Sequence, residues 1–158
     1  MRNIRYRLEQ RGAQMIHDVI DRWHQHLRGE LPGGLASLLA DDVVFYSPVV
    51  FTPQRGKEVT LMYLSAASVA LPGEKSSSVD GGSTGFHYTK KILDGNHAML
   101  EFESTIDGKY VNGVDIITCN NEGLITEFRV MVRPLQGVQA IHRQMGEILA
   151  RMSPPSEA

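Results

Sequence analysis

The stretch VNGVDIITCNNEGLITEFRVMV, residues 111 to 132, predicts two β-strands joined by a turn. Successive side chains of a strand point to opposite faces, so Asp115 shares its face with four small or apolar residues: Val111, Gly113, Ile117 and Cys119. Burying a carboxylate without a partner is costly. Asp115 is therefore solvated at an edge, paired, or held in its protonated form.

Two further strands precede this stretch. They are FHYTKKIL and HAMLEFEST. A turn sequence at Asp94-Gly95-Asn96 separates the two strands, and another at Asp107-Gly108 separates the second strand from residues 111 to 132. Asp-Gly between alternating runs is typical of a hairpin. The sequence thus predicts four consecutive antiparallel strands. Glu101 and Glu103 alternate with Phe102 and are expected on the exterior face.

Helical patterns lie on both sides of these strands. Apolar residues recur at spacings of three and four over residues 15 to 27, over KEVTLMYLSAASVAL and after Pro134. A short helix is expected at GLASLLA, followed by a strand at VVFYS. Helices first and a run of strands afterwards predict an α+β domain, in which a cone-shaped, curved antiparallel sheet wraps around the N-terminal helices and an extra helix follows.

The chain of 158 residues predicts one domain, over residues 1 to 152, with a mobile serine- and glycine-rich loop at residues 72 to 85 and a disordered tail at residues 153 to 158. Sixteen Lys and Arg against 18 Asp and Glu give no broad cationic surface, so we expect no nucleic acid partner. No segment resembles a signal peptide or a membrane span, and we expect a cytoplasmic protein.

Metal and nucleophile motifs are also lacking in the sequence. His24 and His26 are two residues apart on a helix and project to different sides, whereas a helical chelate needs a spacing of three or four. We therefore expect no metal and no cofactor. The lone Cys119 is interpreted as a small buried hydrophobic residue.

Three parts of the chain carry a resemblance: LLADDVVFYSPVVFTPQRG, GVDIITCNNEGLITEF and the helix with Trp23. Over about residues 13 to 133 the sequence resembles the nuclear transport factor 2-like superfamily, of cystatin-like fold. This superfamily includes the SnoaL-like polyketide cyclases and the ketosteroid isomerases. The resemblance implies a cone-shaped α+β fold with a deep apolar pocket, and a homodimer.

The resemblance to ketosteroid isomerases also implies roles for single residues. Asp115 matches the aspartate that donates a hydrogen bond to the substrate oxyanion. The general base is replaced by Ser47, and the oxyanion-binding tyrosine is replaced by Trp23, whose indole can donate one hydrogen bond. His87 is a further candidate base. Five positions match the apolar pocket lining, with plain core packing as the alternative: Tyr63, Phe102, Phe128, Val130 and Val132.

From these residues we expect a protein that binds a small apolar molecule, with Asp115 as its catalytic or binding acid. If the protein is an enzyme, an isomerase, cyclase or lyase acting next to a carbonyl is the class implied. Serine cannot serve as a general base near pH 7, so steroid isomerisation by the family mechanism is not expected. The alternative is a non-catalytic domain for dimerisation or protein interaction, because fold alone does not determine function.

Overall fold

The computed structural model describes residues 2–72 and 85–152. Its helices are α1 (Arg2–Leu27), α2 (Lys57–Ala70) and α3 (Leu135–Met152), with a 3-10 turn at Leu35–Ser37. The strands are β1 (Leu39–Tyr46), β2 (Gln54–Arg55), β3 (His87–Asp94), β4 (His97–Ile106), β5 (Lys109–Cys119) and β6 (Ile125–Arg133). Most of the predicted mobile loop and the whole predicted tail lie outside the described residues.

A single curved sheet carries all six strands in the order β2-β1-β6-β5-β4-β3. The four strands β3 to β6 pair antiparallel with their sequence neighbours, which confirms the predicted run of hairpins. Strand β1, however, pairs parallel with β6, so the sheet is mixed rather than wholly antiparallel. The α+β fold class is confirmed, with helices packed on one face of the sheet.

The turns follow the local chemistry of their residues. Asp107 and Gly108 both have positive φ, at 50° and 71°, and connect Ile106 to its partner Lys109 in a two-residue hairpin turn. Such turns match the right-handed twist of the flanking strands, and Asp-Gly is a favoured pair for them. The sequence therefore predicted this turn correctly.

Two elements differ from the sequence-based expectation. Helix α1 begins at Arg2 rather than near Met15, because the arginine-rich residues 2 to 14 are mostly good helix formers. The predicted helix at GLASLLA is only a 3-10 turn, since the chain enters it through Gly33 and Gly34, both at positive φ. Leu39 and Ala40 belong instead to β1.

Two apolar clusters cover the inner face of the sheet. One joins α1 to the sheet through Ile16, Val19, Ile20 and Trp23, and the other joins α2 and α3 to the sheet through residues such as Ala66, Ala140 and Ile141. Three partly buried side chains contact both clusters: Tyr63, Tyr88 and Val130. Among the described residues, no helix has the length and hydropathy needed to cross a membrane.

Candidate functional site

Asp115 lies on the inner face of β5, near the middle of the sheet, and only 6% of its surface is exposed. Val111, Gly113, Ile117 and Cys119 are buried on the same face, as the alternation predicted. Across the neighbouring strands, Leu100 and Val130 are the direct partners of Asp115. The acid is therefore surrounded by hydrocarbon and is not solvated at an edge.

Tyr88 is the hydrogen-bond partner of Asp115. Its hydroxyl donates to Asp115 Oδ2 at 2.5 Å. Tyr88 lies on β3, which does not pair with β5, so its side chain reaches across the intervening strand β4. Among the described residues no other group donates to Asp115, which leaves Oδ1 available to a ligand.

Trp23 completes a chain of hydrogen bonds from helix α1. Its indole Nε1–H donates to the Tyr88 hydroxyl at 2.9 Å, and that hydroxyl donates in turn to Asp115. The tyrosine oxygen thus has one donor and one acceptor, which fixes the direction of its proton. Trp23 acts on the acid only through Tyr88.

A glycine makes the approach of these side chains possible. Phe102 on β4 pairs with Tyr88 on one side and with Gly113 on the other. A Cβ atom at Gly113 would lie 2.5 Å from Phe102 Cζ and 2.6 Å from the Met131 carbonyl oxygen. The Phe102 ring therefore lies flat across the backbone two residues before Asp115.

Burial dominates the electrostatics of the pair. It raises the pKa of Asp115 from 3.8 to about 7, while the hydrogen bond from Tyr88 opposes the rise. The pKa of Tyr88 is raised well above 10, first by burial and then by the nearby carboxylate. Near neutral pH, Tyr88 thus stays a hydrogen-bond donor, whereas Asp115 can gain or lose a proton.

The aromatic residues predicted to line a pocket are brought together around this pair. Phe128 packs against Trp23 with ring centroids 5.1 Å apart and against Phe45 at 6.1 Å, and Phe45 contacts Tyr63 at 5.6 Å. Phe102 and Phe128 are each 1% exposed. These two rings are part of the packed core, which agrees with the alternative interpretation for them. Val130 and Val132 are partly buried beside them.

Two of the predicted site residues lie elsewhere. The Ser47 hydroxyl accepts hydrogen bonds from the amides of Val49 and Val50, at 3.2 and 3.3 Å, and so stabilises the loop after β1. His87 precedes Tyr88 and projects from the opposite, outer face of β3, where its Nε2 lies 3.7 Å from Glu103. The alternation of strand side chains excludes His87 from the Asp115 side of the sheet.

Sequence reasoning missed Tyr88. Its alternation with His87 was a signal that one of the two must face inward, but no register between β3 and β5 could be derived from the sequence. A second missed residue is His24 on α1, whose ring meets Tyr88 edge-on with centroids 5.7 Å apart. Burial and the nearby Lys91 and Arg28 lower the pKa of His24, and Asp21 raises it by a smaller amount.

An open depression of about 250 Å³ adjoins the site between α1 and β3. Its lining consists of His24, Tyr88, Thr89, Lys90, Lys91 and Leu100. Leu100 is the cross-strand partner of Asp115, and Tyr88 is its hydrogen-bond donor. The depression therefore reaches two residues that contact Asp115, although Asp115 itself does not line it.

Comparison with solved structures gives relatives over most of the chain. A steroid delta-isomerase from Pseudomonas aeruginosa is 30% identical, with a TM-score of 0.74 over 87% of this chain and 93% of that one. A bacterial protein of cystatin-like fold from Silicibacter pomeroyi is 27% identical, with a TM-score of 0.69 over 85% of this chain and 86% of that one.

A third similar structure is an NTF2-like protein of unknown function from Mesorhizobium loti. It is 20% identical, with a TM-score of 0.61 over 77% of this chain and 93% of that one, and it supports the fold alone. Neither the protein-family models nor the curated proteins gave a match. The fold, the isomerase relative at 30% identity and the inward-facing acid lead to one assignment: the chain belongs to the nuclear transport factor 2-like superfamily, together with the SnoaL-like proteins and ketosteroid isomerases.

Proposed function

We propose that this protein binds a small, largely apolar molecule and that Asp115 holds a carbonyl or hydroxyl oxygen of that molecule. The observation that carries the proposal is a carboxyl group that is 6% exposed, has a pKa of about 7 and uses one oxygen to accept from Tyr88. Strongly perturbed carboxyl groups cluster at functional sites. Asp115 is a buried acid whose direct cross-strand neighbours, Leu100 and Val130, are apolar.

The chemistry we propose is an isomerase-type reaction next to a carbonyl, with a cyclase or lyase step as a variant of the same chemistry. Protonated Asp115 donates through Oδ1 to the oxygen that gains negative charge, while Tyr88 holds Oδ2. A donor in a water-poor site stabilises such an oxyanion far more than the same donor in water. A pKa of about 7 lets the group donate and recover its proton near neutral pH.

His24 is our candidate for the proton acceptor, in place of His87. It contacts the Tyr88 ring and lines the same depression, whereas His87 projects from the other face of the sheet. Its lowered pKa keeps the imidazole neutral at pH 7, which is the form that accepts a proton. The acid and the acceptor then both contact Tyr88, Asp115 at its hydroxyl and His24 at its ring.

Deuterium exchange into an apolar ketone tests this proposal. With 2-tetralone in D₂O, proton NMR follows the loss of the hydrogens next to the carbonyl, which requires both proton abstraction and oxyanion stabilisation. The wild-type protein should accelerate the exchange. Asp115→Asn should reduce the protein-dependent rate by about a hundredfold, because it removes the ionisable oxyanion donor.

His24→Gln should lower the same rate, whereas His142→Gln, on the exposed surface of α3, is the matched control and should leave it unchanged. Exchange that is equally fast with Asp115→Asn would refute the role of the acid. If the wild-type protein binds 2-tetralone without promoting exchange, the protein is a binding protein and the catalytic step is wrong.

A second proposal concerns the outer face of the sheet. Ile92 and Met131 are 53% and 52% exposed there, although they lie on strands. Two strands separate them, and the partly buried Met99, Val114 and Ile116 of those strands lie between them on the same face. An apolar area of this kind is typical of an association surface. We propose that the chain is a cytoplasmic homodimer joined through this face, and an interaction domain without catalysis would use the same surface.

A further inference from the structure

The depression beside Asp115 has a charged rim. It is lined by Leu100 on β4, by His24 on α1, and by Tyr88, Thr89, Lys90 and Lys91 on the edge strand β3. A molecule seated there touches the tyrosine that fixes the acid. The character of the rim therefore bears on which molecules reach Asp115.

A β-bulge determines which lysine lies on the inner face of the sheet. Tyr88 pairs with Phe102 and Lys91 pairs with Leu100, so three steps along β3 match two steps along β4, and Thr89 is the extra residue. Tyr88 and Lys91 consequently lie on the same face of the sheet. In an unbroken strand, Lys90 would lie on that face instead. Bulges next to functional sites commonly redirect a side chain in this way.

The two lysines differ in their ionic partners. Lys90 projects from the outer face, where its Nζ lies 3.3 Å from Glu101 Oε2. Over the described ranges 2–72 and 85–152, no carboxylate lies within ion-pair distance of Lys91. The charges of Lys91 and Arg28 both act on His24, and Asp21 opposes them more weakly. Arg28 lies 3.0 Å from Glu30, so Lys91 is the cation of this group that adds a charge without a described carboxylate partner.

We propose that the ligand of this site is an apolar carboxylic acid whose carboxylate is held by Lys91 at the rim, while its carbonyl or hydroxyl group reaches Asp115. This inference rests on the proposed function, since it names the class of molecule that the same site takes. An apolar body lies over Leu100 and the Tyr88 ring. The bulge at Thr89 supplies the selectivity, because it places an unneutralised ammonium group on the inner side.

Calorimetric titration with a charged and an uncharged form of one compound tests the inference. The probes are 6-hydroxy-2-naphthoate and its methyl ester, which share the ring system and the hydroxyl group. The wild-type protein should bind the acid more tightly than the ester. Lys91→Met should weaken binding of the acid by about fivefold and leave the ester unchanged. Added salt should reduce the preference for the acid.

Lys109→Met is the matched control, because it removes the same charge from an exposed lysine at the start of β5 that does not line the depression. It should leave both affinities unchanged. The inference is overturned if Lys91→Met weakens both compounds equally, if Lys109→Met has the same effect, or if the wild-type protein does not prefer the acid. Thermal melting of each variant checks that the edge strand remains folded.

Tyr88→Phe separates this inference from the proposed function. Ester binding that weakens in Tyr88→Phe supports the site at Asp115 independently of Lys91. If the ester binds and depends on Tyr88 while the acid gains nothing from Lys91, only the carboxylate inference is wrong. If neither compound binds the wild-type protein, both proposals are wrong.

Discussion

At the scale of single residues, the protonation of Asp115 couples its chemistry to the stability of the fold. The folded chain raises the pKa of this carboxyl from 3.8 to about 7, because burial disfavours the charged form. When the pH lies between these two pKa values, Asp115 is therefore protonated in the folded state and ionised in the unfolded state. The resulting stabilisation is complete below about pH 4 and is lost as the pH rises through 7.

Asp115→Asn should remove this dependence. The free energy of unfolding of the wild-type protein should fall relative to that of the variant by about 4 kcal/mol between pH 4 and pH 8. Urea titrations at several pH values measure this difference. Other carboxyl groups titrate alike in both proteins and cancel, including Asp107, whose pKa Gln144 and Arg143 lower. Parallel stability curves for the two proteins would contradict the elevated pKa.

At the scale of elements, Gly113 sets how closely β4 and the side chains of the site approach β5. The ring of Phe102 occupies the space that a side chain at Gly113 would need. Because Phe102 also pairs with Tyr88, displacement of its ring shifts the tyrosine that donates to Asp115. A change in the contact between Phe102 and Gly113 therefore also changes the hydrogen bonds that join Trp23, Tyr88 and Asp115.

Gly113→Ala should destabilise the fold by about 1–3 kcal/mol, the usual cost of overpacking a core. Thermal and urea unfolding measure this loss. Gly146→Ala is the matched control, because a Cβ there meets no atom within 4 Å, and in a helix alanine should be neutral or stabilising. A Gly113→Ala protein as stable as the wild type would show that Phe102 moves aside freely.

The sequence predicted these elements unevenly, for physical reasons. Alternation over residues 111–119 suffices to place Asp115 on the same face as the apolar residues of its strand, because the period of a strand is fixed by its backbone. The partner of Asp115 was not predictable in the same way. Tyr88 reaches it across β4, and the bulge at Thr89 changes which residues of β3 face inward. The contact of Tyr88 with Asp115 and the bulge at Thr89 both depend on pairing between strands rather than on the local sequence pattern.

The hairpin turns were predictable because Asp-Gly has a local conformational preference, whereas GLASLLA has an apolar composition that suits either a helix or a buried strand. The parallel pairing of β1 with β6 joins segments about 80 residues apart and has no local signal. The family resemblance supplied the fold. Its general-base position corresponds to Ser47, which the structure places in the loop after β1. His87, chosen as a candidate base from among the histidines, projects from the outer face.

At the scale of the whole molecule, the sheet separates two surfaces of different chemistry. Its inner face holds the acid, the tyrosine and the aromatic core, and its outer face exposes Ile92 and Met131 among charged side chains. Arg129 on the outer face lies 3.8 Å above the Tyr46 ring. A partner bound to the outer face would leave the depression between α1 and β3 open.

Met131→Glu should therefore convert the proposed dimer to a monomer, because it places a charge in an apolar contact. Native mass spectrometry measures the change in mass. Val69→Glu adds the same charge on α2, where the valine is 64% exposed, and should leave the assembly intact. A wild-type protein that is monomeric at micromolar concentration would refute the outer face as a dimer surface.

The position of Trp23 has a practical consequence. It is the sole tryptophan of the chain, and its indole N–H is engaged by the Tyr88 hydroxyl at 2.9 Å. Indole emission responds to the polarity around the ring and to its hydrogen bonding. Trp23 is thus an intrinsic fluorophore hydrogen-bonded to Tyr88, the residue that donates to Asp115. Occupancy of the site can therefore be followed in solution without any added dye.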